Sequence, residues 1–363
     1  MAELGKTNSS FEPNLTTINY FGRLFVRYGL AFLVILMVGR VLLSAAVNYW
    51  KATHPAPPPA PTVGFGVLPA PQFPAQSSEE KPNNYELEIV AGLNDSVDQA
   101  KVFLVTRNSV NLLDDQKVKT VAEDYGFTSE PEIIADQEYR FTKSSPLDMS
   151  LEISSLDWTF SLRSNYLSRA DLLTQENRLP EEFEAVNTVK DYLSRADLLG
   201  SDMATASGKV SFLKSLGGEL TSAVAYSDAD FIQVDLNRSP IDGLYPLYTA
   251  KGSVGIVSAI LSGLSLGNSG IVQMDNFYRP VDYLNVQTYP LRGFRSAWKI
   301  VQAGEAYIAS GPKTGTVTVR SAELAYYDDF EYQRYLQPIY VFKGDNDFMA
   351  FVPAISAEYL QKE

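Results

Sequence analysis

The stretch that decides the architecture is residues 28–50, YGLAFLVILMVGRVLLSAAVNYW. At about 1.5 Å of rise per residue, a helix of this length spans roughly the ~30 Å hydrocarbon layer of a bilayer. Aromatic side chains bracket it, with Tyr28 at one end and Tyr49 and Trp50 at the other, and amphipathic rings favour the lipid–water boundary. The sequence therefore predicts one transmembrane helix over residues 28–50.

The basic residues around this stretch predict its orientation. Arg23 and Arg27 precede the helix, whereas Lys51 is the single base that follows it before the chain becomes proline-rich. By the positive-inside rule, residues 1–27 form a basic cytoplasmic tail, and the rest of the chain lies outside the cell membrane. One alternative is a signal peptide cleaved at the small residues 44–46. Another is a buried helix of a soluble protein.

Arg40 lies near the middle of the predicted span. A central arginine costs ~2.5–3.5 kcal/mol on insertion scales, and such residues often face an acidic partner or a watery cavity. The alternative is a tolerated charge that snorkels to the interface while the surrounding apolar residues drive insertion. Arg40 is the candidate for an interaction of this helix with a membrane partner.

Residues 55–76, PAPPPAPTVGFGVLPAPQFPAQ, follow the predicted helix. Proline removes backbone donors and fixes φ, so neither helix nor sheet is expected here. We expect a polyproline-like linker over residues 51–84 that extends by about 3 Å per residue and lifts a domain off the membrane. A PxxP ligand for an aromatic-lined groove is a second interpretation.

The charge and composition exclude several classes of function. The net charge is −13, but residues 1–76 contain five basic and two acidic residues, so the remainder has a net charge of −16. Such a domain repels phosphate backbones, and no nucleic-acid partner is expected. There is no cysteine, which excludes thiol catalysis, disulfides and cysteine-ligated metals. The single histidine, His54, lies beside the proline-rich stretch, so no histidine base is expected in a folded site.

Three helices are predicted after the linker. One begins at Asp114 and Asp115 and stops at Gly126, and another covers FRSAWKIVQAGEAYI at residues 294–308. The clearest is LPEEFEAVNTVKDYLSRADLLG at residues 179–200, with Pro180 in its first turn, acidic residues at its start and Gly200 at its end. The apolar positions expected to face inward are Phe183, Val186, Val189, Leu193 and Ala196 in this helix and Ala297, Ile300, Val301 and Ala303 in the last one.

Strand-like patterns occupy most of the remaining chain. They include YELEIVAGL, KVFLVT, EYRFTK, LDMSLEIS, LDWTFSLRSNY, KVSFLKSL, ELTSAVAYS, FIQVDLNR, YPLYTAKG, SVGIVSAILSG, GIVQMDNFYR, VTVRSAELAYY, LQPIYVFKG and DFMAFVPAI. Gly217-Gly218 and residues 344–347 predict hairpin turns. Few helices and antiparallel strands indicate the α+β class. We predict two such subdomains, 85–200 and 201–363. The octapeptide YLSRADLL occurs at 166–173 and 192–199, and without a third copy it predicts no solenoid.

The C-terminal stretch resembles a known family. The helix with Trp298, the strand ending in LAYY and the hairpin LQPIYVF…FVPA resemble the C-terminal part of YycI-type regulatory proteins, within the YycH/YycI and PepSY-like extracytoplasmic modules. The residues concerned are Trp298, Gly304, Glu305, Tyr307, Tyr326, Tyr327, Gln337, Pro338, Tyr340 and Pro353. The resemblance implies a membrane helix that bears an outside domain and restrains a sensor histidine kinase through membrane contacts.

The proline-rich stalk departs from that family. The overall layout also resembles anchored proteins of candidate-phyla bacteria. The same aromatic residues are typical of a helix packed on a sheet, and Pro338 and Pro353 indicate edge positions or strand ends. Core packing is therefore the first interpretation of these side chains.

No catalytic, cofactor-binding or metal-binding residues are predicted. Acidic pairs at turns, Asp228 and Asp230, Asp328 and Asp329, and Asp345 and Asp347, are the carboxylates available for a hydrolase or a calcium site. Residues 263–270 lack the phosphate-loop and dinucleotide motifs. We expect a non-enzymatic, single-pass membrane protein that binds a partner in the membrane or envelope. The alternatives are an exported carboxylate-dependent hydrolase of envelope polymers and a structural envelope component. No oligomeric state is predicted.

Overall fold

The computed structural model describes residues 15–53, 59–77, 81–88, 97–107, 114–169, 179–264 and 269–361, so His54 lies outside the described residues. The chain divides into two units, residues 1–60 and 61–363. In the first, helix α1 (Leu15–Thr53) extends beyond the predicted 28–50 at both ends, so Arg23 and Arg27 lie within the helix. From Ile18 to Lys51 it is long and apolar enough to cross a membrane, and its apolar side chains are exposed.

The second unit contains two β-sheets and short helices. Its helices are α2 (Asp114–Asp124), α3 (Glu182–Arg195), α4 (Ser201–Ala204) and α5 (Phe294–Gln302), with 3₁₀ turns at Tyr166–Arg169, Tyr226–Asp228 and Ala357–Tyr359. Its strands are β1 (Asn84–Leu87), β2 (Gln99–Val105), β3 (Glu132–Ala135), β4 (Glu138–Lys143), β5 (Met149–Ser154), β6 (Phe160–Ser164), β7 (Lys209–Leu216), β8 (Glu219–Ser222), β9 (Phe231–Leu236), β10 (Leu247–Tyr248), β11 (Val257–Leu261), β12 (Ile271–Asn276), β13 (Val281–Pro290), β14 (Tyr307–Ser310), β15 (Thr316–Tyr327), β16 (Tyr335–Gly344) and β17 (Met349–Pro353). The fold is α+β, as predicted.

The nine-stranded sheet has the order β3-β4-β5-β6-β12-β11-β9-β7-β8, and its pairs are antiparallel. Helices α2 and α3 contribute to its core, where the Tyr125 ring stacks on Tyr192 at 4.2 Å. In α3 the buried side chains include Ala185, Val189 and Leu193, spaced four residues apart. Phe183 is 77% exposed, contrary to the prediction, because at about 100° per residue it lies on the far side of the helix from Ala185.

The predicted subdomain boundary at residue 200 does not separate the two sheets. The nine-stranded sheet joins β3–β6, before that boundary, to strands after it, with Leu162 opposite Met274. The eight-stranded sheet likewise pairs β1 and β2 with C-terminal strands. Local patterns identified most of these strands, though not β3, but the long-range pairing that assigns each strand to a sheet leaves no local pattern in the sequence.

The eight-stranded sheet contains the path β1-β15-β16-β17-β14, with β10 also paired to β15 and β2 paired to β13 and β16. It is mainly antiparallel, but β1 and β10 run parallel to β15. Helix α5 covers one face through Phe294, Ala297 and Val301. This helix ends earlier than predicted, because Gly304 has a φ of +73°, and β14 then replaces the predicted last turn. Ala303, predicted to face inward, is exposed.

The proline-rich segment is not a free spacer from residue 61 onward. We call residues 61–77 the strap, because they lie along the eight-stranded sheet as part of the second unit. The Val63 amide donates to the Thr288 carbonyl at 3.0 Å, and Leu68, fully buried, forms a bridge with Leu360. The strap has apolar side chains between its prolines, and these pack on the domain. The prediction of an extended linker over residues 51–84 is therefore wrong for residues 61–77.

Candidate functional site

Strand β15 has an open edge between two short strands. On the side of β15 away from β16, β1 pairs as far as Leu87 opposite Val319, and β10 begins with Leu247 opposite Tyr326. Among the described residues, no strand pairs with residues 320–325 on this side. We call this stretch the open edge.

The backbone of Ala322 and Leu324 is directed into the open edge. The amide of Tyr326 donates to the Pro246 carbonyl at 2.9 Å on this side, and backbone direction alternates along a strand. Ala322 and Leu324 lie four and two residues before Tyr326, so their backbone groups point in the same direction as those of Tyr326. The register shift in β15 does not disturb this alternation, because it falls earlier, between Val319 and Ser321. The N–H and C=O groups of Ala322 and Leu324 therefore point away from β16, and no backbone group in the described part of the chain bonds to them.

An apolar cavity of about 320 Å³ lies beside the open edge. Its lining includes Ala322 and Leu324 from β15, Tyr340 from β16, Phe294 from α5, and Val97, Leu244, Tyr245, Leu291 and Glu323. Leu244 is 74% exposed, so this part of the lining is accessible from solvent. The open edge thus combines free backbone groups with a recess for side chains.

Charged groups near the open edge are already paired. Arg320 forms an ion pair with Asp345 at 2.8 Å and another with Glu88. Glu323 accepts hydrogen bonds from Lys343 at 2.8 Å and from the Tyr248 hydroxyl at 2.6 Å. Burial lowers the pKa of Lys343, but the hydrogen bonds to Glu323 and Tyr248 outweigh it, so the pKa is raised. These charged side chains are therefore engaged within the domain, and the open edge itself presents backbone groups and an apolar recess.

A second polar cluster joins the two sheets. Arg238, fully buried after β9, donates from Nε to Asp328 at 2.7 Å and from Nη1 to Asp202 at 2.9 Å. The hydroxyls of Tyr278 and Tyr283 also donate to Asp202, at 2.9 and 2.6 Å. Burial raises the pKa of Asp202, but the Arg238 charge and these hydrogen bonds outweigh it, so the pKa is lowered. Because Arg238 and Asp328 are buried and the polar groups of the cluster bond to one another, we interpret this cluster as structural.

Comparison with known proteins gives little further information. No family model matches the chain, and no curated protein matches it. A solved structure of an uncharacterised protein from Eubacterium rectale is 12% identical, covers 74% of this chain and 86% of its own, and has a TM-score of 0.35. At this TM-score the similarity supports no inference about function.

The sequence-predicted C-terminal residues divide between the cavity, the sheet and the strap. Tyr340 lines the cavity, and Trp298 packs near the Phe342 ring at 5.7 Å. Tyr307 and Tyr327 contact Phe73 of the strap, and Gln337 donates to its Pro69 carbonyl. Tyr326 is buried in the core, and Glu305 is exposed after α5.

Pro338 is an exception to its predicted edge position. It is buried in β16, which has β15 on one side and β17 on the other. The Pro338 carbonyl accepts from the Ala354 amide at the point where β17 ends. The pairing of β16 with β17 therefore does not require the backbone N–H that proline lacks. Pro353, the last residue of β17, does lie at a strand end.

The acidic turns have local partners. Asp345 pairs with Arg320 in a hairpin where Asn346 and Asp347 have φ of +57° and +56°, and Asp328 pairs with Arg238. Asp230 accepts from the Ser215 amide, and Asp329 accepts from Gln333. Over the residues that the structure describes, no group of acidic or histidine side chains is arranged to hold a metal.

Two sequence motifs lie partly outside the described residues. Of residues 263–270, positions 265–268 are not described, and the first YLSRADLL copy is described only at Tyr166–Arg169, a 3₁₀ turn. The second copy falls at the end of α3 and beyond it. The described parts of the two copies therefore adopt different structures.

Sequence reasoning did not identify Leu244, Ala322 or Leu324. Their residue types are ordinary for a turn and a strand, and an open edge is defined by which strands fail to pair.

Proposed function

We propose that this chain is a non-enzymatic, single-pass membrane protein whose folded domain binds a protein partner outside the cell membrane. The observation that carries the proposal is α1, which is apolar from Ile18 to Lys51 yet has its large apolar side chains exposed. A surface helix of a soluble protein buries an apolar stripe, whereas a helix that is apolar all round suits a bilayer.

Charge asymmetry supports the orientation. Arg23 and Arg27 lie toward the N-terminal end of α1, and Lys51 lies at its other end. The positive-inside rule then favours a cytoplasmic N-terminus and an external domain. A strongly acidic domain without cysteine is compatible with that location.

One face of α1 favours a contact within the membrane. Gly22, Gly29 and Arg40 lie within about 20° of one another around the helix axis, at 100° per residue. Glycines let a second helix approach closely, and an arginine in hydrocarbon is stabilised by an acidic partner. This face and the open edge give the protein two surfaces for one membrane partner, consistent with a regulatory role toward a membrane sensor.

Membrane integration is tested by alkaline extraction and intact mass measurement of the native protein. We expect full-length protein that stays in the membrane fraction. A soluble product that begins after residues 44–46 would overturn the anchor and support a cleaved signal peptide.

Partner binding is tested with a photo-crosslinking amino acid at Leu244, beside the open edge, and at Val224, a 99% exposed residue after β8, as the control. We expect one membrane protein, identified by mass spectrometry, to be captured from Leu244 and not from Val224. Equal capture at both positions, or none, would contradict binding at this surface.

A further inference from the structure

We infer that the open edge of β15 takes up an extended segment of a positively charged polypeptide as an additional strand. This inference rests on the proposed function and names the chemistry of its partner. Strand addition to a sheet edge is a general mode of peptide recognition, in which main-chain bonds provide affinity and side-chain pockets provide specificity.

The length of the open edge fixes the size of the segment. Residues 320–325 lie between the paired positions Val319 and Tyr326, and at about 3.3 Å per residue they span about 20 Å. An extended segment of about six residues fills this length. Shorter or helical ligands would leave the edge partly unpaired.

The backbone supplies the hydrogen bonds. The N–H and C=O groups of Ala322 and Leu324 point into the edge, with no backbone partner among the described residues. Unpaired edges are normally covered, charged or interrupted by proline. Here Arg320 and the register shift protect only the start of the open edge, and regular strand follows from Ala322.

The cavity selects the side chains of the segment. Ala322 and Leu324 line it on the face of the sheet that α5 covers, and Tyr340 and Phe294 complete its floor. Alternate residues of an added strand face the same side of the sheet. We therefore expect large apolar residues at every second position of the segment.

Charge selects its remaining residues. Residues 61–363 contain 25 basic and 41 acidic residues, which gives a net charge of −16. Near the edge, Glu86 and Asp98 are exposed, and Arg320 is offset by two carboxylates. An acidic surface attracts a cationic segment and repels an anionic one.

The test uses full-length protein in zwitterionic detergent and a fluorescent six-residue peptide that alternates lysine and leucine. We expect saturable binding by anisotropy and slower hydrogen exchange at the outward amides of Ala322 and Leu324. A peptide alternating glutamate and leucine should not bind. Leu244→Lys places a cation beside the cavity and should weaken binding about tenfold. Val224→Lys adds the same charge on a loop after β8 and should leave the affinity within about twofold.

A backbone variant tests the hydrogen bonds separately. Ala322→Pro removes an outward N–H without removing a bond to β16, and it should abolish peptide binding. If this variant fails to fold, two peptides methylated on the backbone amides of odd or of even residues give the same information. Only the peptide whose methylated amides face β15 should fail to bind.

Three results would overturn the inference. They are equal weakening by both lysine variants, peptide binding without protection of the Ala322 and Leu324 amides, and protection of these two amides already in the free protein. The last result would mean that the edge is already covered, as by a second copy of the chain. Failure of the peptide to bind, with specific capture at Leu244 retained, would overturn the added strand and leave the proposed function standing. Failure of both experiments would remove both proposals.

Discussion

Replacement of Phe73 by alanine tests whether the strap is an integral part of the folded domain. The Phe73 ring stacks on Tyr307, with 5.1 Å between centroids and 9° between planes. It also meets Tyr327 edge-on at 4.8 Å and lies 6.2 Å from Phe351. These contacts are with β14, β15 and β17, so one side chain links the strap to three strands of the eight-stranded sheet.

The expected loss follows from the burial of this ring. Truncation of a fully buried phenylalanine to alanine costs about 3–5 kcal/mol. Phe73 is half-buried, which scales the loss to about 2 kcal/mol of the free energy of unfolding. The ring pairs with Tyr307 and Tyr327 each contribute about 0.5–1.5 kcal/mol to this loss. A loss well below about 2 kcal/mol is therefore not expected. For a domain of this size, about 2 kcal/mol lowers the Tm by about 4 °C.

The assay compares Phe73→Ala with Val67→Ala in urea and thermal unfolding. Val67 lies in the same strap but is 55% exposed, so its truncation should change stability by less than about 0.5 kcal/mol. Limited proteolysis should cut the strap faster in Phe73→Ala alone. If the two variants have the same stability and cleavage rate, the Phe73 ring does not hold the strap on the domain. That result would support the extended linker predicted from the proline content.

Asp328→Asn should cost about 3 kcal/mol in urea unfolding, because Arg238 loses one of its two buried counter-charges. Asp345→Asn, at a solvent-exposed ion pair, should cost much less, and equal losses would contradict the buried cluster. Burial raises the pKa of Asp202, but the Arg238 charge and the hydrogen bonds to this carboxylate together outweigh it, so the pKa is lowered. The contribution of Asp202 to stability should therefore be complete above about pH 4 and disappear as the pH falls through the lowered value. A Tm profile that is no steeper below pH 4 than that of Asp202→Asn would refute this assignment. Arg40→Leu should leave membrane extraction unchanged and remove crosslinks to a membrane partner, and retained crosslinks would favour a merely tolerated charge.

The sequence predicted the elements that depend on local physics. Acidic residues in the first turn, apolar spacing and Gly126 at a φ of +78° place α2 where the pattern predicted it. Helix α3 begins near its predicted start, but it ends at Arg195 and not at Gly200, which lies at the N-cap of α4. The turns at Gly217-Gly218 and at residues 344–347 are hairpins, with positive φ at both glycines of the first and at Asn346 and Asp347 of the second. Three strands were not predicted: β3, β13 and β14. In β13 a bulged stretch interrupts the alternation, and β14 begins within the predicted C-terminal helix.

What the sequence could not provide was the partner of each strand. The pattern of β15 was identified, yet nothing in it distinguishes the residues paired with β1 from those that face the open edge. The difference lies in where β1 stops and β10 starts, which is set by residues more than sixty positions away. The candidate site therefore emerges from topology, while its side chains are ordinary apolar residues.

The strap shows why composition predicted the backbone and not its environment. Proline fixes φ and removes a donor, but it leaves the carbonyl oxygen as an acceptor. In the strap those acceptors are used: Gln337 donates to the Pro69 carbonyl at 2.9 Å, and Gln333 donates to the Gln72 carbonyl at 3.2 Å. Leu68, which has an amide, both donates and accepts along Tyr359–Gln361. An extended, proline-rich segment can thus be a spacer or a docked strap with the same backbone. The choice depends on whether the domain offers donors and an apolar recess, as it does for Phe73.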